Sequence, residues 1–166
     1  LSPDSLQAMQ AFLLGSTGFV GWTACLLLLA VWLPCAVLAW VLSRALDALA
    51  LGETTAHSLG LPLAQQRGAL VALLALTTGA AVAQTGLIAF VGLAAPHLVR
   101  AAGSVTHGRL MWLASLMGGA LLAGADLLAR GLMAPQELPV GVLTAVLGGG
   151  YLLWLMHRRT APGGLL

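Results

Sequence analysis

Residues 68–99 read GALVALLALTTGAAVAQTGLIAFVGLAAPHLV, 32 positions without an Asp, Glu, Lys or Arg, bounded by Arg67 and Arg100. As a single helix the run would extend about 48 Å, whereas the hydrocarbon core of a bilayer is about 30 Å thick. It is too long for one crossing. Gln84, Thr85 and Gly86 place a polar break near its middle. The run therefore divides into two legs, 68–84 and 87–102, the second short and interrupted by Pro96. The number of crossings, and so the fold, depends on this division.

The flanking sequence supplies three further apolar runs. Trp22 to Ser43 ends at Arg44 and contains Pro34, which a membrane helix tolerates where neighbours satisfy the freed carbonyl. Leu110 to Ala125 continues through Asp126 to about residue 129. The run 138–156 is opened by Pro139, a favoured helix-starting residue, and closed by His157, Arg158 and Arg159. The fold class is thus all-α: a polytopic transmembrane bundle of about five spans, 22–43, 68–84, 87–102, 110–129 and 138–156.

Composition agrees. Only 7% of the residues are charged, against about 25% in soluble domains, and 60% are hydrophobic, with a mean hydropathy of +0.98. Such a chain cannot cover itself with a polar surface, so its main solvent is the lipid bilayer. All seven positive charges are Arg, and the net charge of +2 is too small and scattered for a nucleic-acid partner. Cys25 and Cys35, ten positions apart on one helix, would lie about 15 Å from each other, which excludes a disulfide and leaves them as small apolar fillers. The stretch LSPDSLQAMQ has no basic head and does not read as a signal peptide; the chain is expected to begin partway through a longer protein.

Arginines give the orientation. With five crossings, Arg44, Arg67, Arg100, Arg109, Arg158 and Arg159 fall on one side and Arg130 alone on the other. Positive charge concentrates in short cytoplasmic loops, so the six mark the cytoplasm. Residues 1–21 and 131–137 then lie on the extracytoplasmic side.

Small residues recur along the helices: Gly118, Gly119, Ala123 and Gly124, then Gly141, Ala145 and Gly148 to Gly150. They read as close-packing surfaces. Gly148 to Gly150 lie within an apolar run with no strand before them, and without any Lys a phosphate-binding P-loop is impossible. The segment 44–67 is too polar to cross. Gly52 and Gly60 bracket a stretch long enough for one or two helical turns, which Pro62 ends, so it is read as a cytoplasmic docking element rather than a plain connector. His57 has no second ligand at metal-binding spacing. His97 and Arg100, at the cytoplasmic end of the short leg, read as headgroup anchors or as residues shaping contacts with a cytoplasmic partner.

Four stretches together resemble a known family: LGETTAHSLGLPL (51–63), TGLIAFVGLAAPHLVR (85–100), GADLLAR (124–130) and ELPVGVLTAVLGGGYLLWLM (137–156). In this order and spacing they are similar to the FecCD-type permeases, the membrane subunits of ATP-driven importers for iron–siderophores, haem and cobalamin. The resemblance runs from about residue 12 to 159. It implies a permease of about ten helices, of which this chain matches the C-terminal five. It also implies a second permease subunit, cytoplasmic ATP-binding subunits that hold ATP and Mg, and an extracytoplasmic substrate-binding protein. The chain itself would carry no cofactor, no metal site and no catalytic residue. One departure is Gly150, where the family usually has Pro.

The resemblance implies roles for particular residues. Gly52, Glu53, Ala56, Leu59, Gly60 and Pro62 would form the loop that couples to the ATPase, with Glu53 facing the partner or capping the docking helix. Arg130 would meet an acidic residue of the binding protein. Its neighbour Asp126 is four residues earlier on the same helical face, at pairing distance, and would hold it. Glu137 with Pro139 would set the turn into the last helix. Five mostly apolar crossings leave no polar lumen, so cargo would pass along the subunit interface, with Gly141, Thr144 and Gly148 on one face of the last helix as a candidate wall. Two other classes remain: a secondary transporter of a small solute, for which Asp126 sits too near a helix end, and an intramembrane enzyme using Asp126, Glu137 or His97, for which no second intramembrane Asp pairs with Asp126 and no second His or carboxylate lies near His97.

Overall fold

A computed structural model describes residues 3–18, 20–52, 62–132 and 138–160. Among the described residues six helices follow one another: α1 (Pro3–Leu14), α2 (Trp22–Ala50), α3 (Leu63–Thr85), α4 (Val91–Ala101), α5 (His107–Leu132) and α6 (Val140–Thr160). No strand occurs among the described residues. α2, α3, α5 and α6 are each long and apolar enough to cross a membrane.

Several boundaries differ from the sequence reading, for local reasons. α2 does not stop at Arg44; Arg44–Ala50 are mostly strong helix formers, and the helix runs for 29 residues until Gly52, at φ +109°, turns the chain away. α3 starts at Leu63, directly behind Pro62. Residues 44–50 and 63–67 of the connector expected over 44–67 thus belong to the flanking helices. α1 was not anticipated. It opens with Pro at its first position and Asp4 in its first turn, and none of its side chains is buried.

The break in the long apolar run lies where polarity placed it: α3 ends at Thr85 and Gly86 takes φ +72°. The second leg, however, becomes helical only at Val91. Its 11 residues rise about 16 Å, half a bilayer core. Residues 87–90 reach it through non-helical backbone, tolerated at membrane depth when other protein segments surround it.

Small side chains are buried and large ones face outward. Ala45, Ala48, Ala95, Ala125 and Ala129 are buried, while Trp22, Leu51, Leu116, Leu127 and Leu153 are each at least 70% exposed. In lipid no hydrophobic force drives Leu inward, and small residues let helices approach. α4 packs chiefly on α5, α2 on α3 and α5, and α6 on α5 and α4. Gly118 of α5 faces Val91 and Ala95 of α4 at ordinary contact distance. Trp32 and Trp112 add an edge-to-face pair, centroids 5.6 Å apart, between α2 and α5.

This antiparallel order gathers Arg44, Arg67, Arg100 and Arg109 at one end, where Ala48 packs on Leu63. Arg130 lies at the other, where Ala125 and Ala129 pack on Val140.

Candidate functional site

At the Arg130 end, Arg130 Nε donates to Asp126 Oδ2 over 2.9 Å, the pairing expected from their spacing. The second oxygen of Asp126 has a partner no spacing rule could name: Thr17 Oγ1 donates to Oδ1 over 2.5 Å. Thr17 lies in the bend after α1. Asp126 is therefore held from two sides, while the Arg130 side chain remains 51% exposed. Glu137 lies outside the described residues.

The same end is tied by main chain. Ser16 N donates to Thr85 O, Leu87 N to Phe12 O and Gly141 N to Gly15 O, at 2.9–3.1 Å. Gly15 and Gly86 both take positive φ. A Cβ on Gly86 would come within 2.5 Å of Phe12 O, and one on Gly15 or Gly141 would collide with the carbonyl of Leu87 or Leu14. Three segments, at residues 12–16, 85–87 and 141, meet where only glycine leaves room.

Gly141, Thr144 and Gly148 do share one face of α6, and all three pack inward. Thr144 is buried and donates to Gly141 O over 3.0 Å. Gly148 lies against the ring of Phe90, which adopts φ +69° at the start of α4, so that any Cβ at 148 would strike it. Thr144, Gly148, Phe90, Leu98 and Tyr151 line an apolar cavity of about 170 Å³ between α4 and α6. His97 packs against α6. Its Nδ1 lies 2.8 Å from the Tyr151 hydroxyl of α6, ring edge to ring face. Arg100 is exposed. Gly150 sits within the unbroken α6, where a Cβ would meet nothing.

At the arginine-rich end, Asp47 near the end of α2 caps α5. Its Oδ1 accepts from His107 N over 3.0 Å and stands 2.6 Å from His107 Nδ1, which must carry the proton since a carboxylate only accepts. Nothing in the sequence signalled this pair. Gly108 follows, its Cα facing Ser43 and Trp40 so closely that a Cβ would be 2.9 Å from Ser43 Oγ. Of the coupling-loop candidates, Gly52 ends α2 and Pro62 precedes α3; Glu53, Ala56, Leu59 and Gly60, with His57, lie outside the described residues. Among the described residues no three His, Cys, Asp or Glu side chains gather as a metal-binding group.

Comparison with known proteins gives one consistent answer. Residues 1–158 match the FecCD transport family. The chain is 42% identical over 156 residues to the hemin transport system permease protein HmuU of Yersinia pestis, covering 94% of this chain and 47% of that protein. It is 39% identical over 160 residues to the vitamin B12 import system permease protein BtuC of Klebsiella pneumoniae, covering 95% and 47%. An inward-facing metal-chelate type ABC transporter superimposes with a TM-score of 0.88 at 29% identity, over 95% of this chain and 51% of that one. The chain thus spans about half the length of the relatives it matches.

Proposed function

The chain belongs to the FecCD transport family, and on that premise we propose that it forms the C-terminal half of the membrane permease of an ATP-driven, binding-protein-dependent importer of metal chelates. The family match across residues 1–158 carries this reading. Cargo in the class of haem or cobalamin is supported by the relatives named for hemin and vitamin B12; an iron–siderophore belongs to the same chemical class. The permease would sit in a bacterial inner membrane, pair with a second permease subunit, and leave ATP and Mg to a cytoplasmic ATP-binding subunit. It would do no chemistry itself.

The two ends would divide the work. Residues 52–62, at the arginine-rich end, would dock on the ATPase, so a bulky residue at Ala56 or Gly60 should uncouple hydrolysis from import. At the other end Arg130, braced through Asp126, would offer its guanidinium to a carboxylate of the binding protein. α6, with Thr144 and Gly148 against the short leg, would wall the cargo path along the subunit interface.

The test is uptake of labelled haem and cobalamin by cells that depend on the full-length permease, with its ATPase subunit either active or unable to hydrolyse ATP. Uptake that needs hydrolysis, and an ATPase that copurifies, supports the importer. Uptake that persists without hydrolysis would instead favour a secondary transporter. Arg130→Glu should weaken binding-protein docking, with partial recovery when an acidic residue on that protein is reversed.

A further inference from the structure

We propose that the cavity between the arginine-rich ends of α2 and α5 holds the headgroup of an anionic phospholipid. The cavity is about 400 Å³ and is lined by Trp40, Ser43, Arg44, Asp47, Thr106 and Arg109, among others. Among its described lining residues the only acid is Asp47, whose Oδ1 is engaged by the ring and main chain of His107. Arg44 and Arg109 make no ion pair among the described residues. Two guanidiniums therefore line one recess against a single carboxylate, which leaves an excess of positive charge among the described lining residues. Their forked donors suit phosphate oxygens.

The lining also changes character along the helix axis, which separates a lipid from a free anion. Trp40 and Val41 lie about 4–6 Å deeper in α2 than Arg44, and they are 54% and 60% exposed. A phosphate at the arginines would leave its acyl chains along this apolar flank, with the Trp40 indole at the headgroup level where such rings concentrate. Gly108 makes the recess possible: without a side chain it lets α5 close on Ser43 and Trp40. Basic pockets between helices at a positively charged membrane face have the electrostatics that anionic headgroups select. The inference depends on the fold and not on the transport reading.

The test uses the full-length protein in nanodiscs of phosphatidylcholine doped with phosphatidylglycerol. Native mass spectrometry counts retained phosphatidylglycerol, and melting is followed in parallel. Each of Arg44→Gln and Arg109→Gln should lower retention by roughly five-fold, with the double substitution lower still, while Arg44→Lys should keep most of it. Arg100→Gln, at the same end but outside the cavity, should change nothing. In the wild type, phosphatidylglycerol should raise the melting temperature and inorganic phosphate should not. The proposal is overturned if Arg100→Gln matches the cavity variants, which would mean bulk charge. It is equally overturned if inorganic phosphate displaces the lipid and stabilises as well, or if the wild type neither retains nor responds to phosphatidylglycerol.

Discussion

The two ends of the bundle are held by different means. At the Arg130 end, three stretches of backbone touch through Gly15, Gly86 and Gly141 and bond main chain to main chain. At the arginine-rich end the contacts run through side chains: Asp47 on His107, Ala48 on Leu63, Ser43 under Gly108, with an open recess beside them. Backbone contact at glycine has no rotamers and so no intermediate arrangement. Side-chain contact can shift by a rotamer and reform. The first end is built as a fixed frame, and the second as an adjustable one. Under the proposed function, the adjustable end faces the ATP-hydrolysing partner.

The sharpest way to break this contrast is at the knot. Gly86→Val adds strain at positive φ and a collision with the Phe12 carbonyl, and should cost at least about 3 kcal/mol. Folded, monodisperse protein should largely vanish from detergent extracts, while Gly119→Ala, with no neighbour within 4 Å, should extract normally. A well-folded Gly86→Val protein would mean that the frame is not fixed.

Next comes Gly148→Ala, whose methyl group meets Phe90. It should cost about 1–3 kcal/mol as overpacking, and combining it with Phe90→Ala should recover part of that. Strict additivity in this double-mutant cycle would show that the two do not press on each other.

At the adjustable end, Asp47→Ala removes the cap of α5 and should cost about 1 kcal/mol. Asp47→Asn keeps an acceptor for His107 N and should lose less. Thermal melting of both variants reads the difference; equal losses would say that the cap is irrelevant.

The smallest effect is expected at the braced acid. Thr17→Val deletes one hydrogen bond to Asp126 and should cost about 0.5–1.5 kcal/mol, whereas Arg130→Gln, breaking a half-exposed pair four residues apart, should cost only about 0.3–0.5. If Arg130→Gln proves the more damaging to stability, the arginine is structural and its docking role weakens.

How far the candidate site was legible depends on distance along the chain. Asp126 and Arg130 share a helical face, so their pairing follows from helix geometry, and so does the common face of Gly141, Thr144 and Gly148. Thr17 is 109 positions from Asp126, and Asp47 is 60 from His107; no local rule links such pairs. α1 was a different case. Pro3, Asp4 and Gly15 are recognisable start and stop signals, but the stretch is too short to cross a membrane and so escaped a search for crossings.

The sequence by itself determined that this is a membrane protein, where its long apolar runs lie, where the longest of them breaks and which end carries the arginines. These follow from the cost of charge in hydrocarbon and from the rise of a helix, both properties of the local chain. Only the tertiary structure decided that residues 87–90 stay non-helical before α4. There Leu87 N is held by Phe12 O, and Phe90 is seated on the bare backbone of Gly148. The partners that hold those four residues lie some 60 to 75 positions away, so no window of sequence contains the forces that shape them.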